Sequence, residues 1–229
     1  MTTTAPITTT PGPASAIRRP RFGFALAIVT QIAMMTGASA PSPFYPVLAA
    51  EIGFDAIVIS AVFAVYAIAL LLALLSAGSL SDHIGRRPVA IGGLLLLAGS
   101  MLLFWHADSV ATLMLARILQ GAASGVLIAA LSAAALDLAP GGRSRVAALW
   151  NALSPGIGLA LGALVSGIAL DVTGQPLLDV FAPLTVIYLV LAALFFLAPE
   201  TAPLHPGAWG SLSFRPVSYT HLRAHETEA

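Results

Sequence analysis

The residues best equipped for chemistry in this chain are few and clustered. Only 9% of its 229 residues are charged, yet Asp82, His83, Arg86 and Arg87 all fall in "GSLSDHIGRRP", Gly78–Pro88. Asp82 can pair with Arg86 or Arg87, or accept from a helix N-terminus. Gly78 and Gly85 permit a tight turn or a close backbone approach. Pro88 suits the first turn of a helix, where its missing N–H costs nothing. A charged loop is the plainer reading. It accounts for arginine somewhere in the stretch, but not for Gly, Asp, Gly, Arg and Arg at these spacings. The second cluster is "ARILQGAASG", where Arg117, Gln120, Gly121 and Ser124 recur at helical spacing and share one face. Both clusters are suited to ion pairing and hydrogen bonding rather than to breaking bonds. The chain has no cysteine, no H-E-x-x-H and no G-x-S-x-G, and its apolar segments hold no Ser–His pair and no paired carboxylates. No catalytic residue, metal site or cofactor is expected, and the chain is not expected to be an enzyme.

The elements that position these clusters are apolar blocks. The chain is 58% hydrophobic, whereas soluble domains are about half apolar and about a quarter charged. Six apolar segments lie at about 22–44, 57–77, 89–105, 110–136, 146–170 and 180–198, lengths that suit helices crossing a bilayer. In lipid the backbone must satisfy its own hydrogen bonds, which favours helices; barrel strands would be shorter and alternating. The expected fold class is an all-α membrane protein with six transmembrane helices. Arg18, Arg19 and Arg21 precede the first span, Arg86 and Arg87 follow the second, and Arg143 and Arg145 follow the fourth. The other links hold Glu51, Asp55, Asp108, Asp171 and Asp179 and no arginine. The positive-inside rule therefore puts both ends of the block in the cytoplasm.

Residues 1–20 are read as a disordered cytoplasmic tail, 21–200 as the six-helix domain and 201–229 as a second cytoplasmic tail. "RRPRFGFALAIVTQIAMMTGASA" also has the basic flank, apolar stretch and A-x-A of a secretory signal. Thr30 and Gln31 inside it, and Pro41 and Pro43 just after it, argue against cleavage. "VSYTHLRAHET" resembles translated sequencing-adapter sequence, so 217–229 is expected to be non-native; an ordinary polar tail is the alternative.

Within the spans, a charge at helix centre costs about 2.5–3.5 kcal/mol on insertion scales. Arg117 should therefore face a cavity or a partner; snorkelling to the outer interface is the alternative. Gly121 with Gly125, and Gly158 with Gly162, form small-xxx-small pairs suited to close helix packing. Pro155-Gly156 can kink or loosen the fifth span. Gln31, Met35, Ala38 and Ser42 line one face of the first span, for helix packing or for a ligand, to which methionine adapts well. Tyr66 reads either as a packed tyrosine with one hydrogen bond or as a ligand contact.

"GSLSDHIGRRP" resembles the G-x-L-x-D-R-x-G-R-R signature of the major facilitator superfamily, between its second and third helices. Gly78, Leu80, Asp82, Gly85, Arg86 and Arg87 match; His83 replaces the usual first arginine. Arg117, Gln120 and Gly121 resemble the family's R-x-x-Q-G element. Pro155-Gly156 is reminiscent of the glycine-proline element of family antiporters, in reversed order. Pro199-Glu200-Thr201 resembles the way many members leave the sixth helix. The resemblance covers about residues 22–201. It implies the N-terminal half of a 12-helix fold: a secondary active transporter of a small organic molecule by alternating access, with efflux the expected direction, in the plasma (inner) membrane of a bacterium.

The implied partners are the lipid bilayer, a small-molecule substrate, a missing C-terminal six-helix half, and protons as candidate coupling ions; no nucleic acid is expected. The resemblance further implies that the signature residues latch the outward-facing state, that Arg117 serves coupling, and that Gln31 and Met35 line a central cavity. No Asp or Glu lies deep in a span, so a coupling carboxylate lies in the other half or coupling does not use protons that way. The alternatives are a six-helix scaffold or homodimeric channel, or a facilitated-diffusion or symport carrier.

Overall fold

Prolines and glycines decide where the helices break. A computed structural model of the chain describes residues 13–142 and 144–201, and their side chains except those of 13–19 and 77–83. The expectations for the first twelve residues, for Arg143 and for the tail from 202 onward (the segment 217–229 included) lie outside the described residues. So do those for the side chains of Leu80 and Asp82 and for the surroundings of Gly78.

The helices are α1 (Pro13–Ser39), α2 (Tyr45–Ile52), α3 (Ala56–Ile84), α4 (Arg86–Trp105), α5 (Val110–Asp137), α6 (Ser144–Val172) and α7 (Pro176–Phe195), with short 3-10 turns at Ser42–Phe44 and Pro140–Gly142. Among the described residues there is no strand. Among the described residues, six spans are long and apolar enough to cross a membrane, the first running from Pro20 to Ile52 through a break. The all-α, six-span reading thus stands.

Three boundaries differ from expectation. The first span does not stop at residue 44. Pro41 and Pro43 have no N–H to offer the carbonyls of Gly37 and Ser39, so α1 ends, a 3-10 turn follows, and α2 resumes the same apolar run to Ile52. The link expected over Gly78–Pro88 shrinks to one residue. The backbone is helical through Ile84 and again from Arg86, because Gly85 alone adopts a conformation (φ +102°, ψ 147°) that no helix accommodates. Finally, α7 stops at Phe195 and unwinds through 3-10 turns, Leu197 N donating to Leu194 O at 3.0 Å and Ala198 N to Phe195 O at 3.1 Å.

Local caps explain the other starts. Asp55 accepts from the N–H groups of Ile57 and Val58 at 3.0 and 3.1 Å, opening α3. Ser109 accepts from Thr112 N at 3.2 Å, opening α5. Each satisfies donors that a helix start leaves free.

Packing is closest where side chains vanish. Gly121 and Gly125 of α5 lie against the α3 backbone at Tyr66 and Leu70. Gly158 and Gly162 of α6 lie against the α1 backbone at Ile32 and Thr36. The core between α1, α4, α5 and α7 is built from Leu94, Leu97, Met101, Leu127, Leu131 and Tyr188, all essentially buried. Phe104 and Phe181 stack at 5.4 Å to tie α4 to α7. By contrast α3 is covered on little more than one side, leaving Ile68, Leu71, Leu72 and Leu75 outward, and α6 exposes Leu153, Leu161 and Leu164.

Candidate functional site

Among the described residues, Arg117 is the largest fully buried side chain, 1% exposed. Its Nε donates to the Tyr45 hydroxyl. Its Nη1 donates to the Ala38 carbonyl at 3.2 Å and to Gln120 Oε1 at 2.6 Å. Gln120 Nε2 in turn donates to the Gly37 carbonyl at 2.7 Å, the oxygen that Pro41 deprives of a helical donor. The pair one turn apart on α5 therefore splints the break in the first span. The rings of Tyr45, Phe63, Tyr66 and Phe104 stand 5.3–5.4 Å from the guanidinium carbon. Among the described residues no carboxylate pairs with this cation. Aromatic faces, two oxygens of neighbouring side chains and one carbonyl offset part of its lost hydration, and Nη2 is buried without a hydrogen-bond acceptor. Snorkelling is thereby ruled out, because the head group is held inside the bundle. Nor does it face open space: the splint is sealed. Gly121, grouped with it on sequence, points into α3 instead, since its missing side chain is what lets that helix approach. Ser124 is fully buried on the same helix, and Tyr66 is half-buried beside Arg117.

A second polar group joins three helices. Gln31 of α1 donates from Nε2 to Asn151 Oδ1 of α6 at 3.0 Å, with Ser132 Oγ of α5 at 3.4 Å. Asn151 Nδ2 donates to the Ser132 carbonyl at 3.3 Å. Gln31 is 5% exposed, so it is mostly withdrawn into the helix junction. Asn151 and Ser132 are half-buried and form its accessible edge. Met35, one turn on, packs beside Gly158 and is half-buried. Asn151 and Ser132 were missed on sequence; the available signal was an amide four residues before Pro155, whose ring leaves the Asn151 carbonyl without its helical donor. Pro155 is half-buried and Gly156 exposed, and α6 continues through both.

The third group lies at the arginine-bearing end. The Glu200 carboxylate accepts from the backbone N–H of Arg86 at 2.9 Å and of Arg87 at 3.1 Å, capping the start of α4. The Arg86 side chain is ion-paired with Asp137 at the end of α5. The Arg87 guanidinium lies 5.5 Å from the centre of the Phe196 ring. The signature arginines thus bind α4 to the end of α5 and to the stretch that follows α7. Asp137 and Glu200, distant in sequence, were not foreseen as their partners. Gly85 makes the corner between α3 and α4: a Cβ there would meet Glu200 Oε2 at 2.8 Å. Replacing it with alanine is expected to cost about 1–3 kcal/mol, from left-handed backbone strain and the displaced cap. Thermal unfolding of the purified variant measures this; an unchanged melting point would show that the fold does not depend on glycine at this position.

Six apolar spans, a splinted first span and a charge network at the glycine corner together make a membrane-embedded bundle. Residues 27–226 match the sequence profile described as Major Facilitator Superfamily. The chain belongs to the Major Facilitator Superfamily. This superfamily member is 31% identical over 149 residues to an "Uncharacterized MFS-type transporter", YhjO, of Bacillus subtilis (strain 168). The aligned stretch covers 62% of this chain and 36% of that protein, so the match spans about a third of the relative's length. Membership in the superfamily makes the chain a multi-pass membrane protein of a transport family.

Proposed function

We propose that this six-helix unit is one half of a secondary active transporter that exports a small organic molecule by alternating access. The observation that carries the reading is the Gly85 corner, with Arg86 on Asp137 and Glu200 on the α4 N-terminus. Such a network is charged, partly exposed and placed between helix ends, so it can break and re-form as helices rock. In this reading both ends of the unit are cytoplasmic, in keeping with the arginines. A second six-helix unit covers part of the exposed α3 and α6 flanks, and the pathway runs between the units. The Gln31–Ser132–Asn151 group offers amide and hydroxyl contacts and no charge, which suits a neutral or amphipathic organic substrate.

Reconstituting the full-length gene product and measuring flux of a panel of such compounds tests the assignment. Arg86→Glu and Asp137→Arg should each lower flux at least tenfold, and the double exchange should recover part of it. No translocated compound, or flux indifferent to all three variants, would sink the proposal. Repeating the assay with and without an imposed pH gradient decides proton coupling: equal rates would dismiss it. Passive leak through the reconstituted six-helix chain alone would favour a channel built from two copies.

A further inference from the structure

We propose that the acidic end of the bundle carries a second binding site, for a small organic cation with an apolar body. A cavity of about 300 Å³ opens there between α2 and the adjoining ends of α4, α6 and α7. Phe44 and Leu48, both buried, line it together with Leu170 and the half-buried Trp105. Glu51 is the one ionisable side chain on its lining. Neither Arg117 nor any member of the Gln31–Ser132–Asn151 group borders it, so it is separate from the groups described above.

The chemistry of the walls selects the ligand. A single carboxylate beside a tryptophan and aliphatic side chains favours a cation, through charge attraction and the polarisable indole on the wall. The apolar walls reward a hydrocarbon body that displaces water from them. The volume is at the small end of ligand pockets, about 300–1,000 Å³; it holds a one-ring ammonium and not a pair of acyl chains. The links at this end carry Asp108, Asp171 and Asp179 and no arginine, so the surrounding field concentrates cations and repels anions. A free solute is therefore the occupant assigned here, rather than a lipid headgroup. Binding requires neither a second six-helix unit nor transport, so the site stands or falls apart from the proposed function.

The test uses the purified chain in detergent and in phosphatidylcholine nanodiscs, with benzyltrimethylammonium as the probe and its uncharged carbon isostere, neopentylbenzene, as the comparison. Equilibrium dialysis should show saturable one-to-one binding of the cation and none of the isostere. Glu51→Gln should weaken binding at least tenfold; Glu51 is exposed, so the change should leave the fold intact. Gly174→Phe should do the same by filling the cavity without touching charge, since a side chain at Gly174 starts in open space. Binding indifferent to both variants, equal binding of the isostere, or no saturable binding would each overturn the site. Binding seen in detergent but lost in nanodiscs would assign the cavity to lipid choline and overturn it equally.

Discussion

Arg117→Ala is expected to lower the melting temperature of the purified chain by about 10 °C, with the fold itself damaged as well as any transport. The guanidinium donates to Tyr45, Ala38 and Gln120. Hydrogen bonds to charged groups are worth about 1.5–3 kcal/mol each, and truncation also opens a cavity in a closed core. Against this stands the relief of a buried cation, which is costly to keep out of water. The balance still favours loss, because alanine takes from the Ala38 carbonyl and Gln120 Oε1 the charged donor they share in the bundle. A net cost of about 3–5 kcal/mol is expected by analogy with broken buried pairs, and about 2–4 °C per kcal/mol for chains of this size gives the shift quoted. Arg117→Lys keeps the charge but not the fork, and should fall between alanine and wild type. Arg117→Met separates packing from hydrogen bonding: it fills the volume and donates to nothing. A methionine variant as stable as wild type would show that the splint contributes no stability.

Gly162→Leu should prevent α1 and α6 from docking, so that little folded protein survives purification. A Cβ at position 162 would land on the Thr36 carbonyl and on Ser39 Oγ, and one at 158 on the Ile32 carbonyl and the Met35 side chain. At both positions one obstacle is backbone, which cannot swing aside, so the helices must separate. Separation also stretches the bond from Ser39 Oγ to the Leu159 carbonyl, 2.8 Å. Overpacking costs about 1–3 kcal/mol in ordinary cores; Gly162→Ala should sit at the upper end and leucine beyond it. Gly156 and Gly167, on the same helix, meet nothing within 4 Å. Alanine there should be neutral or stabilise by up to about 1 kcal/mol through helix propensity. Size-exclusion profiles and melting curves of the four variants check the contrast. Equal behaviour of Gly162→Ala and Gly167→Ala would mean that helix propensity, not contact, governs this face.

Hydropathy made the six spans readable because lipid tolerates little but continuous apolar helix. It was blind to the break in the first span, since α2 is as apolar as α1 and only Pro41 and Pro43 mark the division. Arg117 stood out as a lone charge, and Gln120 one turn away shared its face. Their acceptors did not stand out, because Gly37 and Ala38 contribute backbone oxygens, which every residue has. Tyr45 falls just beyond a first span read as 22–44, yet it lies against the guanidinium. The glycine pairs were legible as pairs, but not which helix each would meet: α3 for Gly121 and Gly125, α1 for Gly158 and Gly162. For the arginine-bearing end, adjacency in sequence suggested Asp82, whereas the described partners are Asp137, at the end of α5, and Glu200, in the stretch after α7.

Biogenesis inherits a constraint from Gly85. The α3 helix has 29 residues, about 43 Å at the α-helical rise, against a hydrocarbon layer of about 30 Å. With one residue between it and α4, the folded pair has no slack in which one helix could shift across the bilayer without the other. Entry as a single hairpin, its tip carrying Arg86 and Arg87, fits this geometry. A spacer of flexible residues spliced after Gly85 would let them insert separately, and would turn a rigid corner into a loose tether.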